Sequence, residues 1–87
     1  MEKISDMIPL PGDILAGAPI LTVVGHRELF LENYKNIIEY TGDTIRIQTK
    51  TGRIHIEGKA LNINYYTEDI MKITGTVYQI SYGNPKP

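Results

Sequence analysis

From Ile20 onward, apolar and polar residues alternate along the chain. Ile45-Arg46-Ile47, Ile54-His55-Ile56, Leu61-Asn62-Ile63 and Met71-Lys72-Ile73 all keep a period of two, the spacing of side chains on one face of a β-strand. No stripe at helical spacing runs through this region. Gly-containing pairs interrupt the alternation about every 8–9 residues, the rhythm of an antiparallel meander. Gly42-Asp43, Gly58-Lys59 and Gly75-Thr76 each offer glycine first in a two-residue loop, where a type II′ turn needs positive φ. Lys35-Asn36 and Thr51-Gly52 are less ideal closures, and Gly25-His26-Arg27 separates Ile20–Val24 from Glu28–Tyr34. Gly75 has a second reading, as a bulge or bend within one long strand. Tyr65–Asp69 reads as a loop.

These turns set a register that the side chains can test. A Gly42-Asp43 loop pairs Tyr40 with Ile45 and Ile38 with Ile47. A Thr51-Gly52 loop pairs Ile47 with Ile56 and Thr49 with Ile54, and a Gly58-Lys59 loop pairs Ile56 with Leu61 and Ile54 with Ile63. Ile38, Tyr40, Ile45, Ile47, Ile54, Ile56, Leu61 and Ile63 then share one face. The other face carries a Glu39-Arg46-Glu57 row and a Gln48-His55-Asn62 row. Opposite charges side by side across strands favour that register by roughly 0.2–1 kcal/mol per pair, and a one-residue slip would turn the charges inward. The prediction is an all-β, antiparallel β-meander forming a small two-layer sandwich over residues 18–83, with Ile38, Ile47, Ile56 and Leu61 in its core.

The first seventeen residues differ in character. Pro9 and Pro11 exclude a long helix, but Pro11–Gly17 suits one or two helical turns ended by Gly17. A short helical N-terminal segment over residues 1–17 is expected, with Leu10, Ile14 and Leu15 covering an open end or edge of the sheet. Residues 84–87 are expected to be a disordered tail.

Composition narrows the chemistry. The chain has 87 residues, enough for one domain. Nine Lys and Arg against ten Asp and Glu give a net charge of −1, unlike a dedicated binder of phosphate backbones. Cysteine is absent, which removes thiolate metal sites, disulfides and a thiol nucleophile. No apolar run approaches the ~20 residues of a membrane span, so a soluble intracellular chain is expected.

No group of residues forms a catalytic constellation. His26 and His55 fall on separate elements, without the spacing of a metal site. Glu39 and Glu57 flank Arg46 in the expected register, which keeps both ionised and unsuited to proton transfer. Glu68-Asp69 offers too few oxygens for calcium. Ser5 and Ser81 lack a nucleophile elbow, and the glycines form no phosphate-binding loop. No catalytic, metal or cofactor-binding residue is assigned, no cofactor is expected, and the chain is read as non-enzymatic. Lys50, Arg53 and Lys59 near Tyr65, Tyr66, Tyr78 and Tyr82 leave one alternative, a small β-barrel binding single-stranded nucleic acid by stacking. The acidic Glu57, Glu68 and Asp69 among them argue against nucleic acid as a partner.

The remaining chemistry is that of surfaces. Edge strands with unpaired backbone groups invite another chain, and both Ile20–Val24 and Thr76–Ser81 are uncharged. Tyr34, Ile37, Tyr78, Ile80 and Tyr82 are the candidate protein-contact surface, and self-association is expected.

Several ordered motifs resemble the YqfC branch of the YabP/YqfC family. They are Leu10-Pro11-x-Asp13-Ile14-Leu15, Pro19-x-Leu21-Thr22-x-x-Gly25, Leu31-Glu32-Asn33-Tyr34-Lys35-x-Ile37, Ile45-Arg46-Ile47-x-Thr49-x-x-Gly52, Ile56-x-Gly58-x-x-Leu61-x-Ile63 and Gly75-x-Val77-x-x-Ile80-x-Tyr82. Asn36 stands where the family is expected to have Gly, and Asn also tolerates positive φ. The resemblance implies a small all-β sporulation protein of endospore-forming bacteria, acting in the mother-cell compartment in spore envelope (coat or cortex) formation. It also implies a membrane-associated, YqfD-like sporulation protein as a partner. This is analogy between families, separate from the physical reading of the residues.

Overall fold

The computed structural model describes residues 17–83. Six strands make up the chain: β1 (Ile20–Val24), β2 (Glu28–Glu32), β3 (Tyr34–Tyr40), β4 (Thr44–Thr49), β5 (Gly52–Tyr66) and β6 (Ile70–Tyr82). They form one antiparallel sheet in the order β1-β2-β6-β5-β4-β3, with no helix among the described residues. The all-β antiparallel prediction therefore holds, but as a single sheet rather than two separate layers. The predicted N-terminal helix and the tail lie outside the described residues, apart from Gly17.

The connectivity departs from a simple meander at one residue. β3 to β6 do form a meander, but β2 pairs with β6 and not with β3. Asn33 alone links β2 to β3, so the predicted Lys35-Asn36 turn does not exist and both residues lie within β3. Asn33 holds φ at 64°, a left-handed conformation that Asn tolerates better than most residues. Its backbone N–H donates to the Asp69 carbonyl at 2.6 Å, and its side-chain amide donates to the Ala18 carbonyl at 2.8 Å.

This link dictates the shape of the sheet. Strands lie about 4.8 Å apart, so a flat sheet would place β2 and β3 roughly 19 Å apart, across β6, β5 and β4. One intervening residue spans only about 7 Å between Cα atoms. The sheet must therefore bend far enough to bring the start of β3 beside the end of β2.

β5 and β6 are the strands that bend. The predicted Gly58-Lys59 hairpin is not formed, because β5 continues unbroken from Gly52 to Tyr66. Ile56 therefore faces Ile45 and Ile80 rather than Leu61, and Ile54 faces Ile47 and Tyr82 rather than Ile63. At Gly75 the bulge reading is the one that holds, with β6 running from Ile70 to Tyr82. Register breaks lie between Glu57 and Gly58 and between Lys59 and Asn62. Ala60 is left-handed there, with φ at 54°. The two strands cross so closely that only glycine fits. A Cβ on Gly58 would lie 2.0 Å from the Thr76 carbonyl oxygen, and one on Gly75 would lie 2.5 Å from that of Ala60.

The backbone groups freed by these breaks are taken up by the turns of other hairpins. Gly58 and Leu61 donate N–H groups to the Asp43 and Gly42 carbonyls, at 3.0 and 2.8 Å. Gly75 and Val77 donate to the Arg27 and His26 carbonyls, at 3.3 and 2.8 Å. Two turns thus satisfy the polar groups that the bend leaves over.

The other turns differ in detail from the sequence reading. β4 and β5 close through Lys50-Thr51, with Thr49 opposite Gly52, instead of Thr51-Gly52. The buried Thr49 hydroxyl donates to the Gly52 carbonyl at 2.7 Å and ties that turn. Moving the turn by one residue shifts each partner by two, so the inward face is preserved. It breaks the predicted polar rows: Arg46 faces Glu39 and His55, Glu57 faces Thr44 and Gln79, and Gln48 faces Asn36 and Arg53. In β3 a further break pairs Ile37 with Ile47 and turns Ile38 outward, correcting the predicted core place of Ile38. Tyr65 and Tyr66 belong to β5, and the loop is Thr67–Asp69.

Leu29, Leu31, Ile45, Ile47, Ile54, Ile56, Leu61, Met71, Ile73 and Val77 are buried and form one cluster. The predicted core residues Ile47, Ile56 and Leu61 are among them. Burying an aliphatic side chain of this size contributes about 1.5–3 kcal/mol, so this cluster is the main source of stability.

Candidate functional site

The residues expected to form a contact surface fall into two groups. Tyr78, Ile80 and Tyr82 lie along the second half of β6. Ile80 faces Ile56 and Tyr82 faces Ile54, so both belong to the core-facing side of the sheet. Ile80 is partly buried against the core. Tyr78 and Tyr82 are 67% and 73% exposed. Beyond Val77, β6 is hydrogen-bonded to β5 on one side, and no described strand pairs with its other side. The half-strand therefore combines an unpaired edge with two large aromatic side chains in water, and it carries no charge.

Tyr34 and Ile37 lie on β3, and β4 and β5 separate them from β6 in the sheet order. Both pack against the core. The Tyr34 hydroxyl donates to the Thr67 carbonyl, tying the start of β3 to the β5–β6 turn. Burial holds the Tyr34 phenol above its ordinary pKa, with added repulsion from Tyr66 and Asp69. Tyr34 acts here as a structural tether, whereas Tyr78 and Tyr82 have no such role in the fold.

Beside Tyr34 is an open recess of about 330 Å³ lined by Gly17, Asn33, Tyr34, Lys35, Lys50 and Asp69. It holds charges of both signs but no nucleophile paired with a base.

The titratable groups elsewhere are spread over the sheet. The His26 carbonyl serves the β6 bend, while His55 lies between Arg46 and Ser81 across the strands. His55 Nε2 and Arg46 Nε are buried without a hydrogen-bond partner. Arg46 Nη1 contacts Glu39 Oε1 at 3.1 Å on a half-exposed surface, a pair worth about 0–1 kcal/mol. Among the described residues, no three His, Asp or Glu side chains converge as a metal site would require. Lys59 sits at the bend and Tyr65 and Tyr66 at the far end of β5, so the basic and aromatic residues of that strand are spread along its length.

The residues that sequence reasoning missed are those of the backbone. Asn33 carries the turn between distant strands, and Thr41 and Thr67 cap turns with their hydroxyls. Thr41 Oγ1 accepts from the Asp43 and Thr44 N–H groups at 3.1 and 2.9 Å. Thr67 Oγ1 accepts from Asp69 and Ile70 at 3.4 and 3.2 Å. The signal was present in Thr41-Gly-Asp-Thr and Thr67-Glu-Asp-Ile, where a threonine precedes two turn residues.

Among the described residues, no helix is long and apolar enough to cross a membrane. No solved structure matches the chain significantly. It is 24% identical over 75 residues to the uncharacterized protein YqfC of Bacillus subtilis (strain 168), covering 86% of this chain and 81% of that one. It is 36% identical over 64 residues to the 2-amino-4-ketopentanoate thiolase alpha subunit of Acetoanaerobium sticklandii, covering 64% of this chain and 62% of that subunit. The YabP family model matches residues 17–87, which takes in every strand of the sheet, and the chain belongs to the YabP family.

Proposed function

We propose that this chain is a non-enzymatic sporulation protein that acts by protein–protein association in spore envelope formation, in the mother-cell cytoplasm. The observation that carries the reading is the second half of β6, where Tyr78 and Tyr82 stand in solvent beside a strand edge that no described strand pairs. Large exposed aromatics that the fold does not use mark interaction sites. Family membership supplies the sporulation setting. A second copy of the chain and a membrane-associated YqfD-like protein are the partners this reading expects.

The test is genetic. Deleting the gene in its spore-forming host lowers the yield of heat-resistant spores. A Tyr78→Ser/Tyr82→Ser chain, shown to be folded and present at normal levels, fails to restore it. Unchanged spore yield after deletion overturns the proposal.

The similarity to a thiolase alpha subunit supports a second reading, in which the chain is one subunit of an enzyme. Both readings require a partner surface. Co-purification of the tagged chain with another thiolase-type subunit decides for the second.

A further inference from the structure

The two outermost strands are built differently. β3 carries Lys35 and Glu39 and two register breaks, devices that discourage a further strand from pairing. β1 has none of them. Its sequence is Ile-Leu-Thr-Val-Val, and its register with β2 is unbroken. Ile20, Val23 and Val24 are 49%, 43% and 51% exposed.

We propose that β1 pairs antiparallel with β1 of a second copy, so that two six-stranded sheets become one. This rests on the reading of the chain as an association protein and names the partner for one of its edges. The argument for a second copy is the order of residues in the strand. Two aliphatic residues, a threonine and two aliphatic residues read alike in both directions. A two-fold axis through Thr22 sets Ile20 against Val24 of the second copy and Leu21 against Val23, and no charge meets a charge. All five residues of the strand are paired in this register.

Both faces of the sheet continue across the axis. Leu21 faces Leu31 and Val23 faces Leu29 in the same chain, so these two extend the core-facing aliphatic row toward the copy. Thr22 lies on the opposite face, in a row with Phe30 and Lys72. The two Thr22 side chains meet at the axis, and cross-strand pairs of β-branched residues are favourable. Five residue pairs bury far less than the roughly 800 Å² per partner of a standard interface. The dimer is therefore weak, with a dissociation constant on the order of tens of micromolar.

The chain contains no cysteine, so a thiol placed on the axis reports directly. Full-length Thr22→Cys, mildly oxidised, forms an intermolecular disulfide about tenfold faster than Lys35→Cys on β3. In sedimentation, the unmodified chain dimerises, and Thr22→Lys and Thr22→Glu each weaken the dimer about tenfold by opposing like charges. Mixing these two variants restores it, which a variant that had merely lost its fold would not do. A chain that stays monomeric at several hundred micromolar, equal cross-linking at Thr22 and Lys35, or no recovery on mixing overturns the proposal. If this happens while Tyr78→Ser/Tyr82→Ser still lowers spore yield, only the pairing through β1 fails. If spore yield is unaffected as well, the association reading fails with it.

Discussion

The bend of β5 and β6 and the last five residues of β6 belong to the same pair of strands, yet they are opposite in packing. At the bend there is no room for one more carbon: Gly58 and Gly75 press against the backbone of the facing strand. A few residues on, Tyr78 and Tyr82 extend into water with more than half of their surface exposed. The residues at the bend are there because the backbone path requires them. The tyrosines have no equivalent structural reason, and that contrast is what directs attention to them as a contact surface.

The comparison is broken most severely at Gly58. Gly58→Ala brings a Cβ within 2.0 Å of a carbonyl oxygen and is expected to remove on the order of 4 kcal/mol of stability or prevent folding, read from urea unfolding midpoints. Gly42→Ala is the control, since nothing lies within 4 Å of that position, and its midpoint should move by no more than about 1 kcal/mol. Next is the core under the open half-strand. Ile56→Ala, at a fully buried position, should cost about 2–5 kcal/mol. Its cross-strand neighbour Ile80 is only partly buried, so Ile80→Ala should cost clearly less in the same assay.

A smaller effect is expected at Asn33. Asn33→Ala retains the left-handed backbone at a penalty and loses the bond to Ala18, for a total of about 1–3 kcal/mol. Asn33→Gly keeps the conformation and loses only the bond, so it should be the milder change by equilibrium unfolding.

The tyrosines sharpen the contrast further. Tyr34 has a phenol raised above 10.0, first by burial and then by Tyr66 and Asp69. The folded chain holds that proton more tightly than the unfolded one. The contribution of this phenol to stability is thus fully present below pH 10 and is lost as pH rises through the raised value. Tyr34→Phe should show a shallower alkaline decline, measured as unfolding midpoint against pH. The smallest effect on stability belongs to Tyr78→Ser/Tyr82→Ser, within about 0.5 kcal/mol for each exposed position, although partner binding should be lost. A large loss of stability in this variant would move both tyrosines into the same class as Tyr34.

The strand content and the inward face were legible in the chain because a period of two survives errors in turn placement. Ile45, Ile47, Ile54 and Ile56 face inward whether the β4–β5 turn is Thr51-Gly52 or Lys50-Thr51. The exposed uncharged edge at Ile20–Val24 was visible for the same reason. What could not be read was which glycine turns and which one bends. Gly42 and Gly58 each precede a charged or polar residue between apolar runs, yet Gly42 sits in a turn and Gly58 in a strand. The difference lies in Thr76, whose carbonyl approaches Gly58 from the partner strand β6, and local sequence does not encode that approach. By residue type Tyr34, Tyr78 and Tyr82 are alike, and it is the packing of Tyr34 against the core and its contact with Thr67 that separate it from the other two.

The single-residue step at Asn33 has a consequence for how the chain comes together. β2 is made early, but the strand it must lie against, β6, follows about forty residues later. On a ribosome the first hairpin therefore emerges with one long side empty and waits while the four-stranded remainder is synthesised. The sheet is complete only once β6 has captured β2. During that interval the hairpin is a ribbon open to neighbouring nascent chains.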